Sequence, residues 1–249
     1  MILGAQLYTV NKFCKTLDGL AETLTRIADM GYTSVQLSGV CAYEPEWMKE
    51  QLDKNGLTCA ITHNGLDKLQ YCQRIVDQQK IFGCKYIGLG KYNMSFEPLE
   101  KAYERFRDIY RPVARGIREC GGYFMYHNHA AEFAKIGNKT VMDKMAEDFA
   151  PEDMGFTLDV FWCQVGGADP AEMIERLAGR TPCIHLKDLK FDRVYAPVGE
   201  GNMNFDRIIA AAESAGVAYG LVEQDTCYDE DPFDCLKRSL AYLHAMGLK

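Results

Sequence analysis

Residues 123–133 have the sequence YFMYHNHAAEF, which begins as an apolar run and predicts a buried strand. The run ends in three side chains that bind protons or metal ions: His127, His129 and Glu132. Burying such groups without partners is costly, so a buried strand should not end in them unless nearby groups satisfy them. The segment therefore predicts a strand whose last residues open into a functional site.

Three later apolar runs end in the same way. The run GFTLDV contains Asp159, CIHLKD contains His185, and YGLVEQD contains Glu223. Together with the first run, they offer carboxylates and an imidazole from separate strand ends, which we interpret as a divalent-metal site. A single histidine or aspartate at a strand end is more often structural, so this interpretation depends on their occurrence together.

The rest of the chain alternates between predicted strands and predicted helices. The strands are predicted at residues 2–10, 34–38, 57–63, 86–90, 123–126, 155–160, 183–187 and 219–224. The helices are predicted at residues 16–30, 44–55, 67–82, 96–120 with an interruption at Pro112, 140–149, 170–177, 205–215 and 232–246. The strand runs are continuously apolar, which is typical of a parallel sheet covered by helices on both faces.

Eight strand–helix units in 249 residues match the size of a (β/α)8 TIM barrel. The alternative is a doubly wound open sheet, which would need a glycine-rich turn after an early strand if it bound a dinucleotide. The segment LYTVNKF after the first predicted strand contains no glycine. The sequence has no linker or composition break, so we expect residues 1–249 to form a single domain.

Composition and charge argue against several classes of protein. The formal net charge is -7, whereas nucleic-acid binders usually carry a basic face, so no nucleic-acid partner is expected. No apolar window approaches the ~18 residues that span a membrane, so no membrane partner is expected either. The ten cysteines are scattered and form no CxxC pair, and MILGAQLYTV has no basic segment and too short an apolar run for a signal peptide, so none is expected. These features predict a protein of the reducing cytoplasm.

The expected metal chemistry follows from the ligand types. A mixed set of oxygen and nitrogen ligands without thiolate suits Mn, Mg, Co, Fe or Zn. Such an ion polarises a carbonyl and an adjacent hydroxyl, which makes the neighbouring C–H acidic and stabilises an ene-diolate. A carboxylate beside the ion can then take and return the proton. Carboxylates on opposite sides of the substrate carbon would permit epimerisation.

A family resemblance rests on six pieces of sequence that occur in this order: QLYTV, YHNHAAEF, TLDVFW, IHLKD, VGEGNMNF and LVEQD. Taken together, they resemble the xylose isomerase-like TIM-barrel superfamily of sugar isomerases and epimerases. This superfamily includes ketose 3-epimerases, inosose dehydratases and endonuclease IV, and the resemblance covers nearly the whole chain. It implies a metal set of Glu, Asp, His and Glu, of which the last three correspond to Asp159, His185 and Glu223.

The first metal ligand is predicted at Glu132. In ketose epimerases the glutamate lies within the fifth strand, where this chain has His127. The form YHNHxxEF resembles the inosose dehydratase-like branch, in which a glutamate shortly after the strand is the ligand. His127 or His129 would then contact the substrate or the ligands, and a histidine acting as acid or base would suit a dehydratase or a β-elimination.

The remaining site residues are predicted from their positions at strand ends. We expect Glu132, Glu223, His127 and Lys187 to act in catalysis, and Gln6, His63, His129 and Trp162 to bind substrate. Lys187 follows His185 by two residues and so points to the same side of its strand, but it could equally be a lysine of the rim. For Gln6 a structural role is the stronger alternative, and for Trp162 core packing is an equal one. Tyr92 and Phe96 could also wall the pocket.

These residues predict a divalent-metal-dependent sugar isomerase or epimerase. The loop at residues 224–232, QDTCYDEDP, is acidic and would repel a phosphate, so an unphosphorylated keto-sugar or cyclitol is the expected substrate.

The alternative on the same site is an inosose dehydratase-like or keto-glycoside lyase. An endonuclease IV-like enzyme is disfavoured by five histidines in total and by the net charge, and a non-enzymatic subunit by the intact ligand set. Relatives of this kind are often dimers or tetramers, so a homo-oligomer is one expectation.

Overall fold

Eight parallel strands form a closed barrel in the computed structural model, which describes residues 1–94 and 98–248. The strands are β1 Ile2–Gln6, β2 Ser34–Leu37, β3 Thr58–His63, β4 Tyr86–Leu89, β5 Tyr123–His127, β6 Met154–Asp159, β7 Cys183–Leu186 and β8 Tyr219–Val222. Each strand pairs with the next, and β1 pairs with both β2 and β8. The predicted (β/α)8 barrel is therefore confirmed.

Helices follow the strands and surround the barrel. They are α1 Leu17–Asp29, α2 Pro45–Lys54, α3 Leu66–Leu69, α4 Cys72–Ile81, α5 Leu99–Glu119, α6 Val141–Asp148, α7 Val160–Val165, α8 Pro170–Arg176, α9 Phe205–Ser214 and α10 Pro232–Ala245. Two short hairpins lie outside the barrel sheet, one pairing Lys135–Ile136 with Lys139–Thr140 and the other pairing Asp188–Leu189 with Tyr195–Ala196. Among residues 1–94 and 98–248, no helix is both long and apolar enough to cross a bilayer.

Helix α1 illustrates how the local sequence defines these elements. The Thr16 side chain accepts a hydrogen bond from a backbone N–H of the first turn, which satisfies one of the groups that a helix start leaves unpaired. Leu20, Leu24 and Ile27 recur at helical spacing and are fully buried, which stabilises the fold by about 1.5–3 kcal/mol for each side chain. Just beyond the helix, Gly31 has φ +107, a conformation that favours glycine.

Helix α5 corrects the prediction of an interruption at Pro112. The helix continues through Pro112 to Glu119. A proline inside a helix costs about 3 kcal/mol because it removes a backbone hydrogen bond and crowds the preceding turn. Phe106 and Tyr110 before the proline, and Ile117 after it, are buried, and packing on both sides offsets that cost. Phe96, predicted as the start of this helix and as a pocket wall, lies outside the described residues.

Two other predicted elements are divided in the structure. The first strand ends at Gln6, and Leu7–Val10 form a 3-10 helix because the Gln6 side chain accepts a hydrogen bond from Tyr8 N at 2.9 Å. The helix predicted at residues 67–82 is two helices, Leu66–Leu69 and Cys72–Ile81. Both divisions lie at the carboxyl end of the barrel, where the chain must turn from strand to helix.

Candidate metal centre

Four buried side chains from adjacent strands converge at the carboxyl end of the barrel. His127 ends β5, Asp159 ends β6, His185 lies in β7 and Glu223 directly follows β8. One ligand atom from each lies within 4.8 Å of the others, and all four residues are buried. The carboxyl ends of parallel strands meet at one rim, so residues far apart in the chain share one small volume.

The individual distances show how tightly the group is packed. His127 Nε2 lies 3.3 Å from Asp159 Oδ2, and His185 Nδ1 lies 3.5 Å from the same oxygen. His185 Nδ1 is 2.8 Å from Glu223 Oε2. The other oxygen of Asp159 accepts a hydrogen bond from Trp162 N at 3.0 Å, because α7 begins directly after β6. That bond fixes the carboxylate with Oδ2 toward the histidines.

Two of these atoms make the group suited to a metal ion. His185 Nδ1 and Glu223 Oε2 are buried and lie 2.8 Å apart, and neither is assigned a hydrogen bond among the described residues. Buried polar atoms are normally satisfied, so a pair left without partners needs an explanation. Two imidazoles and two carboxylates form a nitrogen and oxygen donor set that fits a divalent transition metal.

Hydrogen bonds behind the ligands set the direction of each histidine. His127 Nδ1 donates to Gly90 O at 2.8 Å, which leaves Nε2 facing Asp159. His185 Nε2 donates to Gln36 Oε1 at 2.7 Å, which leaves Nδ1 facing Glu223. Such partners usually orient metal-binding histidines and fix the tautomer. The ring atoms that face the carboxylates are therefore the ones available to an ion.

The same network extends to two predicted substrate residues. Gln36 Nε2 lies 2.7 Å from His63 Nε2, so an amide links the His63 and His185 rings. Gln6 Nε2 donates to Glu223 Oε1 at 3.2 Å and holds that carboxylate. Gln6 and His63 thus lie at the centre, and Gln6 contacts a proposed ligand directly.

Lys187 places a buried positive charge among the carboxylates. Its Nζ lies 3.3 Å from both Asp159 Oδ2 and Glu223 Oε2, and 2.9 Å from Asp225 Oδ2. Burial lowers the pKa of Lys187, but the three carboxylates outweigh burial and raise it. The ammonium also lies 5.6 Å from the Trp162 ring and 5.3 Å from the Tyr195 ring. Lys187 is therefore a fixed cation that points into the site and is not a lysine of the outer rim.

The carboxylates are held in their charged form. Burial raises the pKa of Asp159, but Lys187 and the histidines bring it well below its usual value. Burial likewise raises the pKa of Glu223, and Lys187 and His185 lower it more strongly. Burial lowers the pKa of His185, whereas Glu223 and Asp159 raise it, to about 9 in total. Metal ligation requires a neutral ring, so an incoming ion competes with a proton at His185 Nδ1.

Glu132 is not brought into this group, which corrects its expected place beside the other ligands. Its Oε1 accepts a hydrogen bond from the Tyr126 hydroxyl at 2.6 Å, and its Oε2 accepts one from His129 N at 2.8 Å. After β5 the chain forms the 3-10 helix Ala130–Phe133, and the Glu132 side chain caps the N-terminus of that helix. Both oxygens are engaged there, and His127 occupies the position at the end of β5.

The other predicted histidines and Trp162 surround the centre. The His63 ring centroid lies 5.2 Å from that of His127, and burial lowers the pKa of His63 well below its usual value. The His129 ring lies 4.8 Å from that of His127 and 5.4 Å from Trp162. Burial, followed by His127, lowers the pKa of His129 to about 3, so this ring is neutral. His129 Nδ1 and Trp162 Nε1 have no partner among the described residues.

A cavity of about 690 Å³ opens above the centre, within the size range of small-molecule sites. Its walls include most of the predicted site residues, namely Gln6, His63, His127, His129, Trp162, Lys187 and Glu223. Asp225 and Tyr8 also line it. We refer to this space as the catalytic cavity.

Sequence reasoning assigned no role to Asp225, Gln36 or Asn128. Asp225 lies two residues beyond Glu223 in LVEQD, so its direction could have been inferred from the strand spacing. Asn128 Oδ1 accepts a hydrogen bond from Asp159 N at 2.9 Å and ties the ends of β5 and β6 together. Nothing in the sequence signals that contact, because the partners lie 31 residues apart.

Residues 24–246 match the family model described as xylose isomerase-like TIM barrel, and the chain belongs to this family.

The chain is also similar to individual proteins. It is 24% identical over 195 residues to an inosose dehydratase from Geobacillus kaustophilus, a match that covers 69% of this chain and 62% of that protein. The chain thus spans less than two thirds of the length of this curated relative.

Solved structures share the fold. One is a sugar phosphate isomerase/epimerase from Parabacteroides distasonis, with 22% identity, a TM-score of 0.83, and coverage of 98% of this chain and 93% of that one. An L-ribulose 3-epimerase has 15% identity, a TM-score of 0.77, and coverage of 98% and 94%. A probable 3-DHS dehydratase from Bacillus anthracis has 16% identity, a TM-score of 0.72, and coverage of 98% of this chain and 99% of that one.

Proposed function

We propose that this protein is a divalent-metal-dependent isomerase or epimerase that acts on an unphosphorylated keto-sugar or cyclitol. The ion would be held by His127, Asp159, His185 and Glu223. The observation that carries the proposal is the convergence of these four buried side chains, with one ligand atom from each within 4.8 Å of the others.

The bound ion would polarise a substrate carbonyl and its neighbouring hydroxyl, so that the C–H between them becomes acidic. The chain's own residues would do the rest. The Glu223 carboxylate would take the proton, while Gln6, which donates to Oε1, keeps it from rotating. Lys187 Nζ would donate a hydrogen bond to the substrate oxygen on which negative charge develops. The raised pKa of Lys187 suits this role, since the ammonium keeps its proton.

The walls of the catalytic cavity would orient the substrate. The His129 and Trp162 rings line the cavity and lie 5.4 Å apart, an arrangement that suits the face of a hydroxylated ring. His63 is held by Gln36 and neutral, so it can contact a hydroxyl without adding charge.

A lyase on the same site is the second candidate. Epimerisation needs a proton carrier on each face of the substrate carbon, and the end of β5 presents His127 rather than a carboxylate. Elimination needs only one base, and Lys187 can stabilise the charge on the departing oxygen. The similarity to an inosose dehydratase also favours this candidate.

The test is isotope exchange with protein loaded with Mn²⁺. Incubation with ketoses and keto-cyclitols in heavy water should place deuterium next to the carbonyl, with recovery of the starting mass for an isomerase or epimerase. A product lighter by water or by an aglycone would identify the lyase. Bound metal without exchange on any compound would contradict both candidates.

Metal content can be measured independently of activity. Dialysed protein should retain one ion per chain by elemental analysis, and Asp159→Ala should retain none. Full exchange activity in Asp159→Ala would show that the site is assigned to the wrong residues.

A further inference from the structure

A second cavity of about 380 Å³ lies beside the catalytic cavity. It is enclosed by the loop after β2 and by helices α3 and α4, and none of the four proposed metal ligands lines it. Its volume falls in the range of small-molecule sites. We refer to it as the side cavity.

The two cavities are neighbours and share part of their lining. Ser38, Gly39, His63 and Asn64 line both of them. The His63 ring is part of the shared wall, and its Nδ1 lies 3.3 Å from Ser38 Oγ. The side cavity therefore lies directly against the catalytic cavity, with His63 at the boundary between them.

Gly39, which lines both cavities, lies at a position that requires glycine. A Cβ at this position would lie 2.9 Å from Tyr8 Cδ2 and 3.3 Å from Asn11 Cβ, and φ is +70. Any other residue would be both strained and crowded there. The wall that the two cavities share thus depends on a residue without a side chain.

The lining of the side cavity combines flat rings with hydrogen-bonding groups. Tyr43 and Phe82 pack edge to face with centroids 6.2 Å apart, and Tyr71 is 59% exposed. Gln78 adds an amide, and Arg74 adds a guanidinium that has no ion pair among the described residues. Aromatic faces surrounded by amide and guanidinium donors suit a hydroxylated or aromatic ring.

We propose that the side cavity binds the second ring of a two-ring substrate, so that the enzyme acts on a keto-glycoside whose first ring lies over the metal centre. This inference rests on the function proposed above. A ring fits better than a phosphate group, because the cavity is much larger than a phosphate and its faces are aromatic. Asp67 lines the cavity together with Lys68 and Arg74, so its charged groups offer hydrogen-bond acceptors as well as donors to ring hydroxyls.

Binding of matched compounds tests the proposal. Calorimetric titrations of Mn²⁺-loaded protein would compare glucose with cellobiose, galactose with lactose, and glucose with 4-nitrophenyl β-D-glucopyranoside. In at least one pair the two-ring compound should bind ten or more times as tightly as the single ring. Equal affinities in every pair would overturn the proposal.

Two variants test whether the tighter binding of the two-ring compound comes from the side cavity. Tyr71→Ala should remove the advantage of the two-ring compound and leave the affinity for the single ring unchanged. The control is Phe191→Ala, which removes an 89% exposed ring that lines neither cavity and should change neither affinity. An unaltered advantage in Tyr71→Ala would contradict the assignment of the side cavity.

A second matched pair lies on α4. Gln78 lines the side cavity, whereas Gln73 is exposed and does not. Gln78→Ala should weaken only two-ring binding, and Gln73→Ala should weaken neither. Inorganic phosphate that binds wild-type protein and loses affinity in Arg74→Ala would instead identify an anion site and overturn the ring assignment.

Failure here can be separated from failure of the proposed function. Bound metal and deuterium exchange on a single-ring ketose, without any gain for two rings, would leave the enzyme proposal standing and remove the side cavity from it. A gain that depends on Tyr71, without metal or exchange, would leave a glycoside-binding site and remove the metal-dependent chemistry.

Discussion

The two layers inside the barrel are built on the same strands but carry opposite chemistry. The lower layer is an apolar cluster of Ala60, Ile61, Met125, Cys183 and Leu221. Side chains two residues apart on a strand point the same way, so four polar groups of the upper layer lie directly above four of these apolar residues. The pairs are Ile61 below His63, Met125 below His127, Cys183 below His185, and Leu221 below Glu223.

The difference assigns separate tasks to the two layers. The lower layer removes apolar surface from water and stabilises the barrel. The upper layer buries charges, which is costly even when they are paired. A barrel selected for stability alone would continue the apolar pattern upward, so the polar layer indicates a function that outweighs the cost.

The largest expected effect is loss of the metal from the upper layer. Asp159→Asn removes a charged oxygen that faces both histidines, so metal binding should fall by more than about 100-fold, beyond the effect typical of residues behind the ligands. Elemental analysis after dialysis measures the loss, and circular dichroism should show an intact fold. Asp77→Asn, an exposed carboxylate on α4, is the matched control and should retain the ion.

A substitution in the lower layer should lower stability and leave metal binding intact. Ile61→Ala leaves a cavity beneath His63 and should lower the free energy of unfolding by about 2–5 kcal/mol. Urea titration measures this, and Ile81→Ala, at a 37% exposed position, should cost far less. The variant should still bind one metal ion per chain. Loss of the ion at unchanged stability would show that the two layers are not separable.

A residue behind the ligands should give an intermediate effect. Gln36→Leu removes the acceptor of His185 Nε2 and the link to His63, so metal affinity should fall about 10–100-fold. Competition with a chelator measures the affinity. Gln79→Leu changes a buried amide away from the centre, bonded to Thr62, and should leave the affinity unchanged. Equal affinities in the two variants would remove Gln36 from the centre.

The smallest effect on the metal is expected at Glu132. Glu132→Gln weakens the bonds from Tyr126 and His129 and should lower the free energy of unfolding by roughly 1–3 kcal/mol. The ion should remain, because neither oxygen faces the four-residue group. Loss of the ion in this variant, with the fold intact, would restore Glu132 as a ligand.

The sequence predicted the residues of the centre that lie at strand ends better than the one that depends on a turn. Asp159, His185 and Glu223 sit at or next to ends of regular strands, so strand spacing alone brings them to one rim. The family pattern placed a glutamate near β5, but which of His127 and Glu132 faces the centre depends on a turn. That turn is set by the bonds from Tyr126 and His129 to Glu132, which a linear pattern does not reveal.

The fold was predictable because it follows from regular sequence patterns. The errors in the predicted elements arise where packing or a single side-chain contact decides. Alternating apolar runs and helical spacing give the eight strands and the outer helices. The sequence could not show that α5 passes through Pro112, because that depends on packing along the whole helix. It also could not show that α7 starts directly at Asp159, since the start is defined by a single side-chain bond to Trp162 N.

The charges around Lys187 have a consequence for the kind of ion that the centre can accept. Three carboxylates, Asp159, Glu223 and Asp225, face one ammonium, so with His185 neutral the pocket carries two excess negative charges. An ion of charge +2 brings the net charge of these groups to zero. An alkali-metal ion leaves one negative charge, and a trivalent ion leaves one positive charge. The net charge of the pocket thus favours divalent ions, in addition to the preference that the donor atoms set.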